Sequence, residues 1–200
     1  MKIWSLEQLE EVVAALKNGA IVAYPTEAVF GLGCDPKNSE AVARLFALKH
    51  RSPEKGFLLI GAGEEQFNDF VDWTNMTHAQ KLSVRRTWPG PHTWIMPARN
   101  SLSRNIAGAH AGIAVRVTAH EIAANLCQQF GGALISTSAN INGLTAARSL
   151  SDISQQFGNS SLYGALDAPW FDGFRSAGSQ AATQKNNYQL SQKSDQSKEL

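Results

Sequence analysis

The sequence predicts one α/β domain of three layers, in which helices cover both faces of a single sheet. Short apolar segments alternate along the chain with segments whose apolar residues recur at helical spacing, as in α/β proteins. The first apolar segment, residues 20–24, has no polar face, which is typical of a strand that is covered on both sides. With 200 residues and a hydrophobic content of 43%, the chain is large enough to bury one core.

The first half of the chain contains two predicted helices, one on each side of strand 20–24. Ser5 and Gln8 form a capping box at the start of the first helix, which Gly19 ends. Ser39 is the predicted N-cap of the second helix, which extends to about Lys49.

The second half continues the alternation. We predict helices over residues 77–86, 120–130 and 150–157. We predict strands over residues 57–60, 93–96, 113–117 and 133–135. From Ser176 the chain is rich in Ser, Gln, Lys and Asn and has few apolar residues, so it predicts a disordered tail over 176–200 after a domain of residues 1–175.

Composition excludes several classes of protein. No run of 18 or more apolar residues occurs, so we expect no membrane span, and the first residues lack the apolar core of a secretory signal. Two cysteines, Cys34 and Cys127, are too few for a disulfide framework or a thiolate zinc site. We therefore expect a reduced, cytoplasmic protein that does not contact a membrane.

Charge is unevenly distributed although the net charge is only +1. Residues 73–120 contain no Asp or Glu and six cations, which are Lys81, Arg85, Arg86, Arg99, Arg104 and Arg116. A solvated basic face is the usual explanation of such a stretch. Binding of a polyanion, either a nucleotide or RNA, is the functional alternative.

Lys49 lies on the apolar stripe of its helix, in line with Val42, Leu45 and Phe46. This position directs a cation toward the sheet, and Arg51 follows as the helix ends. Either Lys49 extends along the apolar surface to reach water at the helix end, or it serves a site; the spacing does not decide between the two.

Arg116 interrupts an apolar strand between Val115 and Val117. A guanidinium in a strand centre requires an anionic partner, because burying an unpaired charge is costly. A structural Asp or Glu is the usual partner, and a ligand carboxylate is the alternative.

Polar side chains are concentrated directly after strand 133–135, over residues 136–140, where a helix cap would use only one of them. Pro25, Thr26 and Glu27 follow strand 20–24 in the same way. Ligands of open α/β sheets bind at such strand ends, so both segments are candidate site walls. The chain has no P-loop and no nucleophile elbow, and its five histidines have no metal-ligand spacing. We therefore predict no metal site formed by protein ligands.

Together these segments resemble the YrdC-type threonylcarbamoyl-AMP synthases. The segments that match, in the family's order, are AYPTEAVFGLGCD (23–35), LKHRSPEKGF (48–57), WPGPHT (88–93), AVRV (114–117) and STSAN (136–140). The family's K-x-R and S-x-N signature corresponds here to Lys49 with Arg51 and Ser138 with Asn140.

The resemblance implies a fold, a reaction and partners. The fold is a twisted sheet of mixed strand direction with a large basic cleft. L-threonine and bicarbonate form N-carboxythreonine, which attacks the α-phosphate of ATP to give threonylcarbamoyl-AMP and pyrophosphate, with Mg²⁺ accompanying ATP. The product serves the t6A modification of tRNA, so tRNA and a downstream threonylcarbamoyl transferase are further expected partners.

The resemblance also implies residue roles. Thr26, Arg116 and Ser136 are expected to bind threonine. The residues expected to face the ATP phosphates are Lys49, Arg51, Ser138, Asn140 and Arg148, of which Lys49 and Arg51 stabilise the charge of the reaction. The family's closing C-terminal segment is missing, and the sequence leaves open whether Arg175 substitutes for an arginine lost with it. This departure leaves a non-catalytic module that binds tRNA or double-stranded RNA as the alternative.

Overall fold

The architecture was analysed in a computed structural model, which describes residues 1–158 and 160–168. The predicted tail and Arg175 lie outside these residues. Eight strands are formed in the described part of the chain: β1 (Lys2–Ser5), β2 (Ile21–Pro25), β3 (Phe30–Gly33), β4 (Leu58–Gly61), β5 (Trp94–Pro97), β6 (Gly112–Val117), β7 (Leu134–Ser138) and β8 (Tyr163–Asp167). The same part contains six α-helices: α1 (Leu9–Lys17), α2 (Ser39–Lys49), α3 (His78–Arg85), α4 (Arg104–Ala107), α5 (Glu121–Phe130) and α6 (Leu150–Phe157).

The strands form one mixed sheet in the order β1-β8-β2-β3-β7-β4-β6-β5. The β1–β8, β2–β8 and β4–β6 pairs are parallel, and the remaining neighbours are antiparallel. The mixed strand direction that the family resemblance implied is therefore confirmed.

A hydrophobic core lies on each face of the sheet. On one face, Leu16 of α1 and Leu126 of α5 pack with Leu134 of β7. On the other face, Leu45 of α2 packs with Ile135 and with Ile153 of α6. Since successive strand residues point to opposite faces, neighbouring residues of β7 enter different cores. The predicted three-layer arrangement is confirmed. Within the described residues, no helix has both the length and the hydrophobicity that crossing a bilayer requires.

The sequence missed β1, β3 and β8, and the predicted N-cap of α2 is wrong. Asn38, not Ser39, caps α2, because its side chain accepts a hydrogen bond from Ala41 N at 3.0 Å. Residues 30–33 form β3 although Gly31 and Gly33 lie among them. Gly33 is needed there because a Cβ would lie 2.3 Å from the Ile135 carbonyl oxygen. The two glycines of β3 therefore allow a close approach of β7 and its neighbours.

Candidate functional site

The face of the sheet that packs on α1 and α5 is only partly covered. Strand pairing places Ser136, Leu58, Ala114 and Ile95 in one row across β7, β4, β6 and β5. Exposure increases along this row, from buried Ser136 to Ile95, which is 43% exposed. We call the part of this face around the row the open face; Ser136 and Arg116 point to it.

Lys49 lies at the C-terminus of α2 and is only 3% exposed. Its Nζ donates hydrogen bonds to the carbonyl oxygens of Ser138 and of Asn140, the latter at 2.6 Å. In return, Asn142 N donates to the Lys49 carbonyl at 3.0 Å. Burial, together with the nearby positive charge of Arg51, lowers the pKa of Lys49 to about 8. Lys49 therefore does not extend to water but holds the segment that follows β7.

Arg51 lies just beyond α2, where His50 adopts a left-handed conformation that ends the helix. Its Nε and Nη2 donate to the Gly56 carbonyl at 3.1 and 2.9 Å, and its guanidinium lies 5.3 Å from the centre of the Phe57 ring. Burial lowers the pKa of Arg51. These contacts turn Arg51 toward the loop before β4 rather than toward residues 138–140.

Arg116 points to the same face as the row, from the β6 position that pairs with Ile60. Its Nε and Nη2 donate to Thr93 Oγ1 at 3.0 and 2.7 Å, and its Nη1 lies 3.6 Å from Glu27 Oε2. The sequence left a structural acid and a ligand carboxylate open as partners. The structure identifies Glu27 as the anionic partner in the protein itself.

Thr26 and Ser136 flank Gly31 of β3. A Cβ placed on Gly31 would lie 3.1 Å from Thr26 Cγ2 and 3.2 Å from Ser136 Oγ. The Thr26 hydroxyl donates to the Val29 carbonyl at 2.6 Å, which closes the turn between β2 and β3. Ser136 pairs with Leu58 across the sheet, so Arg116 is two strands away, about 10 Å across the sheet. The three residues predicted to bind threonine thus border one region.

Ser138 and Asn140 form a local network. Ser138 Oγ donates to Asn140 Oδ1 at 2.5 Å, and Asn140 Nδ2 donates to the Leu144 carbonyl at 2.7 Å. Arg148 is exposed and follows Ala147, whose N donates to the Ala139 carbonyl at 2.9 Å. The structure therefore brings Lys49, Ser138, Asn140 and the Arg148 backbone to the end of β7. The sequence predicted Ser136 and Ser138 after the strand, but β7 extends to Ser138 and contains both.

Sequence reasoning assigned no role to three residues that support this site, namely Glu27, Thr93 and Thr118. Thr118 Oγ1 donates to Glu27 Oε1 at 2.6 Å, and Thr93 holds Arg116. The sequence feature that could have identified Glu27 is its position, since it is a carboxylate that follows a buried strand directly and lies in the same turn as Thr26. Its partner could not be inferred, because Arg116 is far away in the chain.

Two arginines of the acid-free stretch 73–120 are paired with carboxylates from other parts of the chain. Arg85 Nε and Nη2 donate to the two carboxylate oxygens of Glu64, at 2.9 and 2.5 Å. Arg116 pairs with Glu27. Acids outside the stretch therefore neutralise part of its charge.

A cavity of about 300 Å³ lies elsewhere, at the N-terminal end of α2. Its lining includes Lys37, Asp69, Phe70 and Asn105 and none of the predicted site residues. The candidate site is thus the open face and not this cavity.

Comparison of the sequence with known proteins shows similarity to one protein family. The Sua5/YciO/YrdC family model, described as "Telomere recombination", matches residues 14–168. The threonylcarbamoyl-AMP synthase of Methylococcus capsulatus is 52% identical over 143 residues, covering 72% of this chain and 76% of that protein. The threonylcarbamoyl-AMP synthase of Photobacterium profundum is 44% identical over 153 residues, covering 76% of this chain and 83% of that protein.

Solved structures show the same fold. P. abyssi Sua5 complexed with L-threonine superposes with a TM-score of 0.77 at 27% identity and covers 85% of this chain. This chain corresponds to about half of that one, 51%. E. coli YciO superposes with a TM-score of 0.73 at 16% identity, covering 86% of both chains.

Proposed function

The chain belongs to the Sua5/YciO/YrdC family, and from this premise we propose that it is a threonylcarbamoyl-AMP synthase. Its substrates are L-threonine, bicarbonate and ATP. Bicarbonate and the threonine amine condense to N-carboxythreonine with loss of water. The new carboxylate attacks the α-phosphorus of ATP, the bond to the bridging oxygen breaks, and pyrophosphate leaves. Threonylcarbamoyl-AMP then passes to a transferase that modifies tRNA to t6A.

Two kinds of similarity support this proposal. Relatives that are 44–52% identical over most of their length carry the name threonylcarbamoyl-AMP synthase. The Sua5 structure that this fold matches was solved with L-threonine. We expect Thr26, Arg116 and Ser136 to contact threonine here, with Arg116 gripping its carboxylate through the paired donors of a guanidinium.

The observation that carries the proposal is the position of β7. Ser136 of this strand borders the region of Thr26, and two residues later the Ser138 carbonyl holds Lys49. Because the strand β7 joins Ser136 to Ser138, an amino acid bound beside Ser136 would be held next to phosphates bound beside Lys49. Such alignment is the main requirement of a reaction between two bound substrates.

Catalysis by this site rests on charge and position. No side chain needs to form a covalent intermediate. Lys49 and Arg51, assisted by Ser138, Asn140 and Arg148, are expected to face the phosphates and to stabilise the charge that develops there. Within the described residues, no three His, Cys, Asp or Glu side chains are grouped to hold a metal. Mg²⁺ commonly binds substrate phosphates with few protein ligands, so we propose that it arrives with ATP and neutralises the pyrophosphate.

The RNA-binding alternative has lost part of its basis. It rested on the missing closing segment and on the cations of residues 73–120, and of those cations Arg85 and Arg116 are paired with carboxylates. A paired cation contributes less to phosphate binding, because its counterion must first be displaced.

Incubation of the purified chain with ATP, L-threonine and bicarbonate tests the proposal. We expect pyrophosphate release that requires threonine and bicarbonate, together with a product of the mass of threonylcarbamoyl-AMP. Reactions without threonine or without bicarbonate serve as controls. Absence of threonine-dependent pyrophosphate, combined with tight binding of tRNA, would replace the enzymatic function with the RNA-binding one.

A further inference from the structure

Glu27 is a carboxylate with an unusual position. It lies in the turn between β2 and β3, next to Thr26, yet its side chain is only 5% exposed. Its Oε1 accepts hydrogen bonds from Thr118 Oγ1 at 2.6 Å and Ala119 N at 3.2 Å. Its Oε2 lies 3.6 Å from Arg116 Nη1. A buried carboxylate is tolerated only with such partners, and all three come from β6 and the residues that follow it.

The direction of these hydrogen bonds is fixed. Thr118 is 2% exposed, and its hydroxyl oxygen accepts from His120 N at 3.1 Å at the start of α5. Because His120 N donates to the hydroxyl oxygen of Thr118, the hydroxyl hydrogen is donated to Glu27 Oε1. The backbone at the start of α5 thus sets the position of the carboxylate.

Arg116 is held from both sides as a result. Thr93 Oγ1 accepts from Nε and Nη2, while Glu27 attracts Nη1. Arginine has many rotamers, and a guanidinium fixed in this way loses less freedom when it binds a ligand.

We infer that Glu27 is a positioning residue for threonine binding, which orients Arg116 and ties the turn that carries Thr26 to the end of β6. This inference rests on the proposed function, because it takes Arg116 and Thr26 as the threonine ligands. It adds a residue that acts through the ligands and does not itself touch the substrate.

The opposite role makes the opposite prediction. If Glu27 were a competitor that occupies Arg116 until threonine displaces it, removing its charge would tighten threonine binding. The sign of the change in threonine affinity therefore separates positioning from competition.

Glu27→Gln is the decisive variant, because the amide oxygen can still accept from Thr118 and Ala119 while the charge facing Arg116 is lost. We expect the KM for threonine to rise about tenfold, as for loss of one charge-assisted contact, with the KM for ATP and the melting temperature nearly unchanged. An unchanged or lowered KM for threonine would overturn the inference, as would an equal rise of both KM values.

Three further measurements sharpen this test. Glu64→Gln removes the charge of another carboxylate that pairs with an arginine, Arg85, outside the site, and it should leave both KM values unchanged. Thr118→Val removes the hydroxyl that holds Glu27 and should raise the KM for threonine severalfold; it decides the matter if Glu27→Gln does not fold. The effects of Glu27→Gln and Arg116→Lys should be less than additive, because both act on one contact.

Failure of the proposed function can be recognised separately. Calorimetry measures threonine binding without turnover. If the wild-type chain binds threonine but releases no pyrophosphate, a tenfold loss of threonine affinity in Glu27→Gln still supports the positioning role. Equal threonine affinity of the two proteins would overturn it.

Discussion

The two cationic regions of the site differ in how their charge is balanced. Arg116 is paired with Glu27, and both side chains are largely buried, 23% and 5% exposed. Within the described residues, Lys49 and Arg51 donate only to backbone carbonyls, and no carboxylate lies at ion-pair distance from either one. In this part of the chain, the Arg116 region is nearly neutral and the Lys49 region has uncompensated positive charge.

This difference fits the two substrates we propose. Free threonine is a zwitterion without net charge, so it needs an arginine that is oriented rather than a strong positive field. The triphosphate of ATP is a polyanion, which gains most where the positive charge is not already neutralised. We therefore propose that threonine binds in the region of Arg116 and the ATP phosphates in the region of Lys49, and four predictions test this division.

The largest effect is expected from Lys49→Met in the uncompensated region. Methionine has a similar length but leaves the Ser138 and Asn140 carbonyls without their donor, at a cost of about 1–3 kcal/mol in the free energy of unfolding. It also removes charge from the phosphate side, so pyrophosphate release should fall roughly 100-fold or more. Denaturant unfolding and the pyrophosphate assay measure the two effects. Near wild-type turnover in a folded variant would assign Lys49 a structural role alone.

Arg116→Lys should have the next largest effect, on the balanced region. Lysine keeps the charge but loses the paired donors that bind a carboxylate, so the KM for threonine should rise roughly tenfold to a hundredfold. The KM for ATP should change little, and steady-state kinetics with each substrate varied in turn measures both. Equal increases in the two KM values would mean that Arg116 supports the whole sheet and not the threonine region.

Gly31→Ala should produce a smaller change at the junction between the regions. The added methyl would lie 3.1–3.2 Å from Thr26 Cγ2 and Ser136 Oγ, so one of them must move. We expect a loss of about 1 kcal/mol in stability and a severalfold rise in the KM for threonine. Gly132→Ala is the matched control, because its Cβ would meet nothing nearer than 3.9 Å. If both variants behave like the wild type, Gly31 does not determine the position of Thr26 and Ser136.

The smallest effect concerns pH and again tests the uncompensated region. The pKa of Lys49 is about 8 in the folded chain, below its ordinary value of 10.5, so above pH 8 the unfolded chain binds more protons than the folded one. The wild type should therefore gain stability relative to Lys49→Met between pH 7 and 8.5, by somewhat less than about 1 kcal/mol. Denaturant midpoints at the two pH values measure this gain. A constant difference between the two proteins would show that burial does not lower the pKa of Lys49.

Sequence patterns predicted most of the elements but not how the site is held together. The apolar stripe of α2 correctly predicted that Lys49 points toward the sheet. The partners of Lys49 could not be predicted, because they are backbone carbonyls, which every residue has. Arg116 indicated a buried anion, but Glu27 is 89 residues earlier in the chain and could be matched to it only after folding. β3 was missed because Gly31 and Gly33 usually indicate a turn, and here they serve close packing against β2 and β7.

Calorimetric titration of ATP and of L-threonine into the wild type, Lys49→Met and Arg116→Lys tests the division of the site most directly. If the uncompensated region binds phosphates and the balanced region binds the amino acid, Lys49→Met should weaken ATP and spare threonine. Arg116→Lys should weaken threonine and spare ATP. Equal losses of both affinities in either folded variant would contradict the account, because they would show one shared site whose charge is not divided between the substrates.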